Sequence, residues 1–262
     1  MTVMTLSIEV TKLSKNYGRT EALKGLSFSV APGSIYGVIG PNGAGKTTTL
    51  SILAGLRTPT SGTVRILGVE VRPNHPELMS RIGFFSPQFG MFDYLKGYEI
   101  LSTCGLMHGL SVAETNRRAT DLLELLDLKA AASHFIYQYS QGMQLKLGLA
   151  CALIHAPEVL FLDEPFGGLD NTSVYRLIVT LRHMVSRGKT VLLTSHDLGQ
   201  VERVCDHVGV LHEGVLKHEA RLSASRTDPQ SQQPASNDRA PSLESLLWDV
   251  VGVPQVVELS WL

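Results

Sequence analysis

Residues 40–48 read Gly40-Pro41-Asn42-Gly43-Ala44-Gly45-Lys46-Thr47-Thr48 and hold the plainest chemistry in the chain. Gly40, Gly45, Lys46 and Thr47 fit the pattern GxxxxGK[ST]. An apolar strand-like run (35–39) precedes them and a helix follows, which is the context the pattern requires. The chemistry is phosphate binding. Glycines let backbone N–H groups turn inward around anionic oxygens, and a helix starting near Lys46 adds roughly half a positive charge at its N-terminus. Lys46 would neutralise β- and γ-phosphates, and the Thr47 hydroxyl would hold Mg2+.

A second group lies in Val159-Leu160-Phe161-Leu162-Asp163-Glu164-Pro165, an apolar run without alternation that ends in two carboxylates. The run reads as a buried parallel strand. A carboxylate at the end of such a strand is costly unless a cation or a proton meets it. Asp163 is therefore placed to hold Mg2+, and Glu164 to take a proton from an attacking water.

Three weaker signals accompany these. Ser195-His196-Asp197 ends another apolar run (190–194), at the strand end where open α/β sheets bind ligands, so His196 reads as a site residue or as a structural histidine. Tyr139-Ser140-Gln141-Gly142-Met143 leads into a helix (145–154), where Ser140 and Gly142 form either an anion site or an ordinary N-cap. Tyr17, in Lys15-Asn16-Tyr17-Gly18, either stacks on a purine, worth about 1–3 kcal/mol per base, or packs on its sheet.

The elements that must position these groups follow from hydrophobic period and turn residues. Strands at 6–10 and 25–30, with a turn at Tyr17-Gly18, predict an antiparallel β layer ahead of the phosphate loop. Strands at 63–67 and up to 84–88 follow the loop's helix. Apolar residues at helical spacing then predict helices at 99–110 and 112–128, the second with a capping box from Ser111 and Glu114. Between Gln88 and Glu99 the loop holds Phe89, Met91, Phe92, Tyr94 and Tyr98, which either face a partner or pack the helical insert onto the core. A helix at 172–186 and strands at 208–211 and 215–216 complete the core. Residues 222–241 are polar and read as a disordered linker, and 242–251 as a short amphipathic helix capped by Ser242.

Composition narrows the partners. The chain has 262 residues, 44% hydrophobic and 18% charged, with net charge −1, so no global basic field would recruit nucleic acid or an anionic membrane. Cys104, Cys151 and Cys205 lack the spacing of a zinc site or a disulfide framework and are expected to be buried thiols in a reducing compartment. No leader or long apolar span is evident, so the protein is expected in the cytosol, with any membrane role peripheral.

Taken in order, the loop at 40–48, a glutamine loop near Gln88, the Tyr-Ser-Gln-Gly-Met helix start, Asp163-Glu164, Gly168-Leu169-Asp170 and Ser195-His196 resemble the ATP-binding-cassette (ABC) ATPases. These are the nucleotide-binding subunits of ABC transporters, and the resemblance covers about residues 5–220. It implies an α/β fold: a P-loop NTPase (RecA-like) core with the N-terminal antiparallel β layer and an inserted α-helical subdomain at about 89–155. The nucleotide-binding domain would span 1–220, the linker 221–241 and the tail 242–262. The resemblance further implies that Tyr17 stacks on adenine. Gly40, Pro41, Asn42, Gly43, Ala44, Gly45, Lys46, Thr47 and Thr48 would bind ATP phosphates, with Thr47, Gln88 and Asp163 at Mg2+. Glu164 would polarise the water and His196 would contact the γ-phosphate. Ser140 and Gly142 would reach ATP on a second nucleotide-binding subunit, with a homodimer expected and Asp170 at its seam. ATP would close that dimer and hydrolysis reopen it, with the aromatic loop passing the motion to an integral membrane permease.

Several residues depart from the family pattern. The signature Leu-Ser-Gly-Gly-Gln stands here as Tyr139-Ser140-Gln141-Gly142-Met143, a form similar to the branch paired with separately encoded exporters of drugs, peptides or polysaccharides. The tail at 242–247 resembles that branch too. Ungapped counting puts Pro87 at the expected glutamine position, with Gln88 one residue late, and Phe166 and Asn171 replace the usual threonine and proline. A soluble ABC-type ATPase acting on nucleic acid or ribosomes is the alternative. Such proteins usually carry two cassettes or a long coiled coil, and this chain has neither. A nucleotide switch with little turnover fits poorly with Glu164 and His196 both present.

Overall fold

The computed structural model describes residues 6–72, 75–87, 93–222 and 243–251. The chain begins β1 (Ile8–Tyr17), β2 (Thr20–Val30), β3 (Ile35–Ile39), α1 (Lys46–Leu53), β4 (Ser61–Ile66), β5 (Val69–Glu70), α2 (Pro76–Met79) and β6 (Ile82–Phe85). Three helices follow, α3 (Gly97–Met107), α4 (Val112–Leu125) and α5 (Gln141–Leu153). The chain continues through β7 (Val159–Asp163), α6 (Asn171–Ser186), β8 (Thr190–Ser195), α7 (Leu198–Val204), β9 (His207–His212), β10 (Val215–Arg221) and α8 (Leu243–Val251).

Two sheets result. One is antiparallel, in the order β2-β1-β4-β5. The other has the order β10-β9-β3-β8-β7-β6, parallel except where β10 joins β9. Its central strands are apolar on both faces because both faces are covered. Val159 and Phe161 of β7 pack with the antiparallel layer and Leu50 and Leu53 of α1, whereas Leu160 and Leu162 pack with α5 and α6. Register aligns the carboxyl ends of the strands: Ile39 pairs with Ser195, Asp163 with Thr194, and Phe85 with Leu162. Whatever follows β3, β6, β7 and β8 therefore meets along one edge.

Several elements differ from the sequence-based expectation. β1 and β2 run much further than 6–10 and 25–30, because register shifts between Val10 and Asn16, with Lys12 at φ 48°, break the alternation that marks a strand. α2, β5 and α7 were not expected; all are short. Ser111 accepts from Glu114 N as a cap should, but Glu114 pairs with Arg117 and Arg118 and does not close the reciprocal half of the box. Cys104 and Cys151 are half-buried, and Cys205 alone meets the expectation of a buried thiol. Tail helix α8 docks on the domain: Leu243 is buried and donates its N–H to Glu202 of α7. Its expected cap, Ser242, and linker residues 223–241 lie outside the described residues.

In the helical insert α3 packs on α4 and α5. His108, at the C-cap of α3, stacks on His155 just beyond α5, with centroids 3.7 Å apart and planes within 3°. His155 Nε2 lies 3.0 Å from the Ile82 carbonyl, which can only accept, so Nε2 carries the proton. Burial, with help from His108 and Arg118, lowers the His155 pKa to about 4. The unfolded chain thus binds a proton near pH 6.5 that the folded chain refuses, so this contribution to stability is complete above pH 6.5 and is lost as pH falls towards 4. Melting temperatures at pH 7 and pH 4.5 should show His155→Gln losing less stability on acidification than the parent protein. In β7, Phe161→Ala should cost about 3–5 kcal/mol in denaturant unfolding, since the ring is fully buried between the layers.

Candidate active site

The phosphate loop is built by close backbone approach. Gly40 has φ 153°, and a Cβ there would collide with the Leu211 carbonyl oxygen. Gly45, at φ 107°, is the N-cap of α1, and a Cβ would stand 2.8 Å from the Ala22 oxygen. Any larger residue at either position would displace the loop from β9 or β2. Lys46 lies folded into the loop, where Nζ donates to Gly40 O at 2.7 Å and to Pro41 O at 3.2 Å. Burial lowers the Lys46 pKa, while the Glu164 and Asp163 carboxylates act to raise it.

Asp163 ends β7 only 3% exposed. Its Oδ1 accepts from Thr194 Oγ1 at 2.7 Å; its Oδ2 accepts from Thr47 Oγ1 at 2.9 Å and from Ser86 Oγ at 3.3 Å. All three hydrogen-bond donors are neutral hydroxyls, and the nearby Lys46 ammonium acts on the carboxylate through its charge without a hydrogen bond. That environment suits a cation beside Thr47 and Asp163. Among the described residues no group of three or more His, Cys, Asp or Glu side chains could hold a metal by itself.

Glu164 adopts φ 48°, unusual for a non-glycine residue, and its N–H donates to Thr194 Oγ1 at 3.1 Å. The turn aims the carboxylate along the sheet edge. Oε1 stands 3.9 Å from Lys46 Nζ. Oε2 accepts from His196 N at 3.2 Å and lies 2.8 Å from His196 Nδ1; a carboxylate only accepts, so Nδ1 carries the proton. Lys46, Thr47, Asp163, Glu164 and His196 thus form one connected group. Ser86 and Thr194 also belong to it and were not picked out from sequence, although each ends an apolar strand run where the carboxylates also lie.

Other expected residues lie apart from this group. Ser140 is exposed and caps α5 by accepting from Met143 N. Gly142 lies where a Cβ would be 3.1 Å from Gly168 O, so its lack of a side chain lets α5 approach the turn after Glu164. No hydrogen bond among the described residues links either to the phosphate loop. Asp170 caps α6 through Ser173 and pairs with Lys146 of α5 at 3.0 Å, and these contacts, led by the Ser173 hydroxyl, hold its pKa well below the usual carboxylate range. Tyr17 is 40% exposed, with Lys15 and Arg57 over its ring at 5.2 and 5.6 Å. Gln88, Phe89, Met91 and Phe92 lie outside the described residues. Of the same loop, Tyr98 packs on the insert and donates to Asn116, while Tyr94 is 84% exposed beside Tyr137, which stacks on Phe135.

Comparison with known proteins agrees with this geometry. Residues 23–167 match the family described as ABC transporter. The Nod factor export ATP-binding protein I of Paraburkholderia xenovorans is 40% identical over 209 residues, spanning 79% of this chain and 68% of that protein. The linearmycin resistance ATP-binding protein LnrL of Bacillus subtilis is 34% identical over 209 residues, spanning 80% and 67%. A dimeric ATP-binding cassette in a post-hydrolysis state, bound to ADP and Pi, superposes with a TM-score of 0.76 at 26% identity over 82% of this chain and 99% of the other. Because the family match takes in more than half of the residues, and the Nod factor protein is matched over two thirds of its own length, the chain belongs to the ABC transporter family as an ATP-binding, ATP-hydrolysing subunit.

Proposed function

We propose that this ATPase powers a separate integral membrane permease, working in export, as a dimer on the inner face of the cell membrane. The observation that carries the reading is the placement of Glu164 between Lys46 and His196 at the strand ends. Export is supported by the Nod factor protein, whose name assigns it that direction, and by the Tyr-Ser-Gln-Gly-Met form of the helix start. Pairing is supported by the dimeric cassette and by Ser140, which is exposed and free of the phosphate loop in its own chain. Residues 1–220 would form the nucleotide-binding domain and 89–155 its helical part. The exposed rings of Tyr94, Tyr137 and Phe135 give the permease an apolar face on that part. No helix among the described residues is long and apolar enough to cross a membrane itself.

Hydrolysis then proceeds by in-line attack of water on the γ-phosphate, with catalysis mostly by positioning and charge neutralisation. Lys46 leaves its loop carbonyls for the phosphate oxygens, and backbone N–H groups of residues 43–48 cradle them. Thr47 and Asp163, with Gln88, would hold Mg2+, which supplies neutralising charge to the phosphates. Glu164 orients the water and takes its proton. His196, held by Glu164 through Nδ1, presents Nε2 towards the γ-phosphate side. Tyr17, with Lys15 and Arg57 now over its ring, would stack on the adenine.

Glu164→Gln should keep ATP affinity and lower turnover roughly 10²–10⁴-fold, the usual reach of a general base. Steady-state hydrolysis near the parent rate would remove Glu164 from this role. The same variant, tagged and drawn from native membranes in mild detergent with ATP, should bring down a polytopic membrane protein. Recovery of a soluble ATP-dependent dimer without any membrane protein would count against the transport reading.

A further inference from the structure

Cys104 and Cys151 lie far apart in sequence, and nothing in their spacing marks them as a pair. The fold makes them one. Cys104 and His108 stand one helical turn apart on α3 and at its cap; Cys151 and His155 stand one turn apart at the end of α5. Two separate contacts fix these helices in matching register. The His108 and His155 rings stack at 3.7 Å where α3 packs on α5, and one turn back the Cys104 and Cys151 thiols come close enough for each to perturb the other's ionisation. Both residues are half-buried, whereas Cys205 is fully buried.

From this geometry we propose that Cys104 and Cys151 are an oxidative modification site, forming a reversible intrachain disulfide that staples α3 to α5 when the protein meets a peroxide. The neighbouring Cys151 thiol holds the Cys104 pKa below the usual thiol range, and the same contact with burial pushes Cys151 up. Cys104 is accordingly the attacking sulfur and Cys151 the resolving one. The Cys104 sulfur attacks one peroxide oxygen and the O–O bond breaks. Hydroxide leaves and takes the thiol proton as water, giving a sulfenic acid. The Cys151 sulfur then attacks that sulfur; the S–S bond forms, the S–O bond breaks, and a second water carries off the Cys151 proton. One peroxide is reduced to two waters as two thiols are oxidised. The bond joins the helix that begins beside Lys96 and the exposed aromatic face to the helix that Ser140 caps.

The test uses the full chain, treated with a modest excess of hydrogen peroxide and mapped without reduction. Expected are a mass loss of about 2 Da and one linked peptide pair holding Cys104 and Cys151, with Cys205 unoxidised, all reversed by dithiothreitol. Closing so long a loop should also raise the melting temperature by roughly 5–10 °C. Cys151→Ser should trap Cys104 as a sulfenic acid that dimedone labels, and Cys104→Ser should leave Cys151 unlabelled at the same dose. An unchanged mass, linkage between separate chains, or Cys104 carried on to sulfinic acid beside a free Cys151 would overturn the proposal. Equal labelling of Cys151 in Cys104→Ser would overturn the assignment of the attacking thiol.

Discussion

The buried Asp163 carboxylate is the constraint on which the site depends. It ends β7, and its three hydroxyl donors come from the start of α1, the end of β6 and the end of β8. Hydrogen bonds to a charged group contribute about 1.5–3 kcal/mol each, and a donor lost from a buried charge costs more than its mean share. Asp163 therefore sets the relative height of three strand ends and of the phosphate-loop helix. Strand register alone would leave those ends aligned but untied. Thr194 extends the arrangement: its hydroxyl donates to Asp163 and accepts from the Glu164 N–H, so the residue that anchors the acidic strand also orients the next backbone unit.

That orientation is held against strain. A non-glycine residue at φ 48° costs on the order of 1–3 kcal/mol and persists where its surroundings over-determine it. Glu164 is fixed from Thr194 at its N–H and from both nitrogen donors of His196 at its carboxylate. An unstrained backbone would carry the side chain on along the strand direction, away from Lys46. The turn instead brings Oε1 to the ammonium and Oε2 to the histidine.

The residues that do this were legible where chemistry and local pattern coincide. β3 and β7 carry continuous apolar runs ended by glycine or by paired carboxylates, and both were placed within a residue of their observed bounds. The polar half of β1 was not legible. Its bulges put lysines and serines where alternation would need apolar side chains, and the ladder is held by backbone pairing with β2 and β4. Ser86 and Thr194 were missed for a different reason. A hydroxyl residue at a strand end is unremarkable until the fold shows that a buried carboxylate lies within reach. The approach of Phe135 and Tyr137 to Tyr94 was equally invisible, because it depends on the bridge between Lys96 and Phe135 that closes the helical insert.

Ser140 lies apart from the phosphate loop, yet it is not mechanically independent of Glu164. The turn after Glu164 rests on α5 at two levels. Gly168 O faces Gly142 closely enough to exclude a side chain there, and Lys146 Nζ, nearly buried, pairs with Asp170 at 3.0 Å. Asp170 is also bound to both Ser173 donors, so it cannot follow α5 without taking the start of α6 with it. An exposed ion pair would contribute little, but Lys146 has lost most of its water and Asp170 is fixed by other bonds, which removes much of the entropy that weakens such pairs. A displacement of the α5 N-terminus by anything that grips Ser140 must therefore either break this pairing or shift the turn that aims Glu164. Were Ser140 to serve a nucleotide on a second subunit, as proposed, the two nucleotides would be coupled through the single helix α5. That coupling would need no contact between the two phosphate loops.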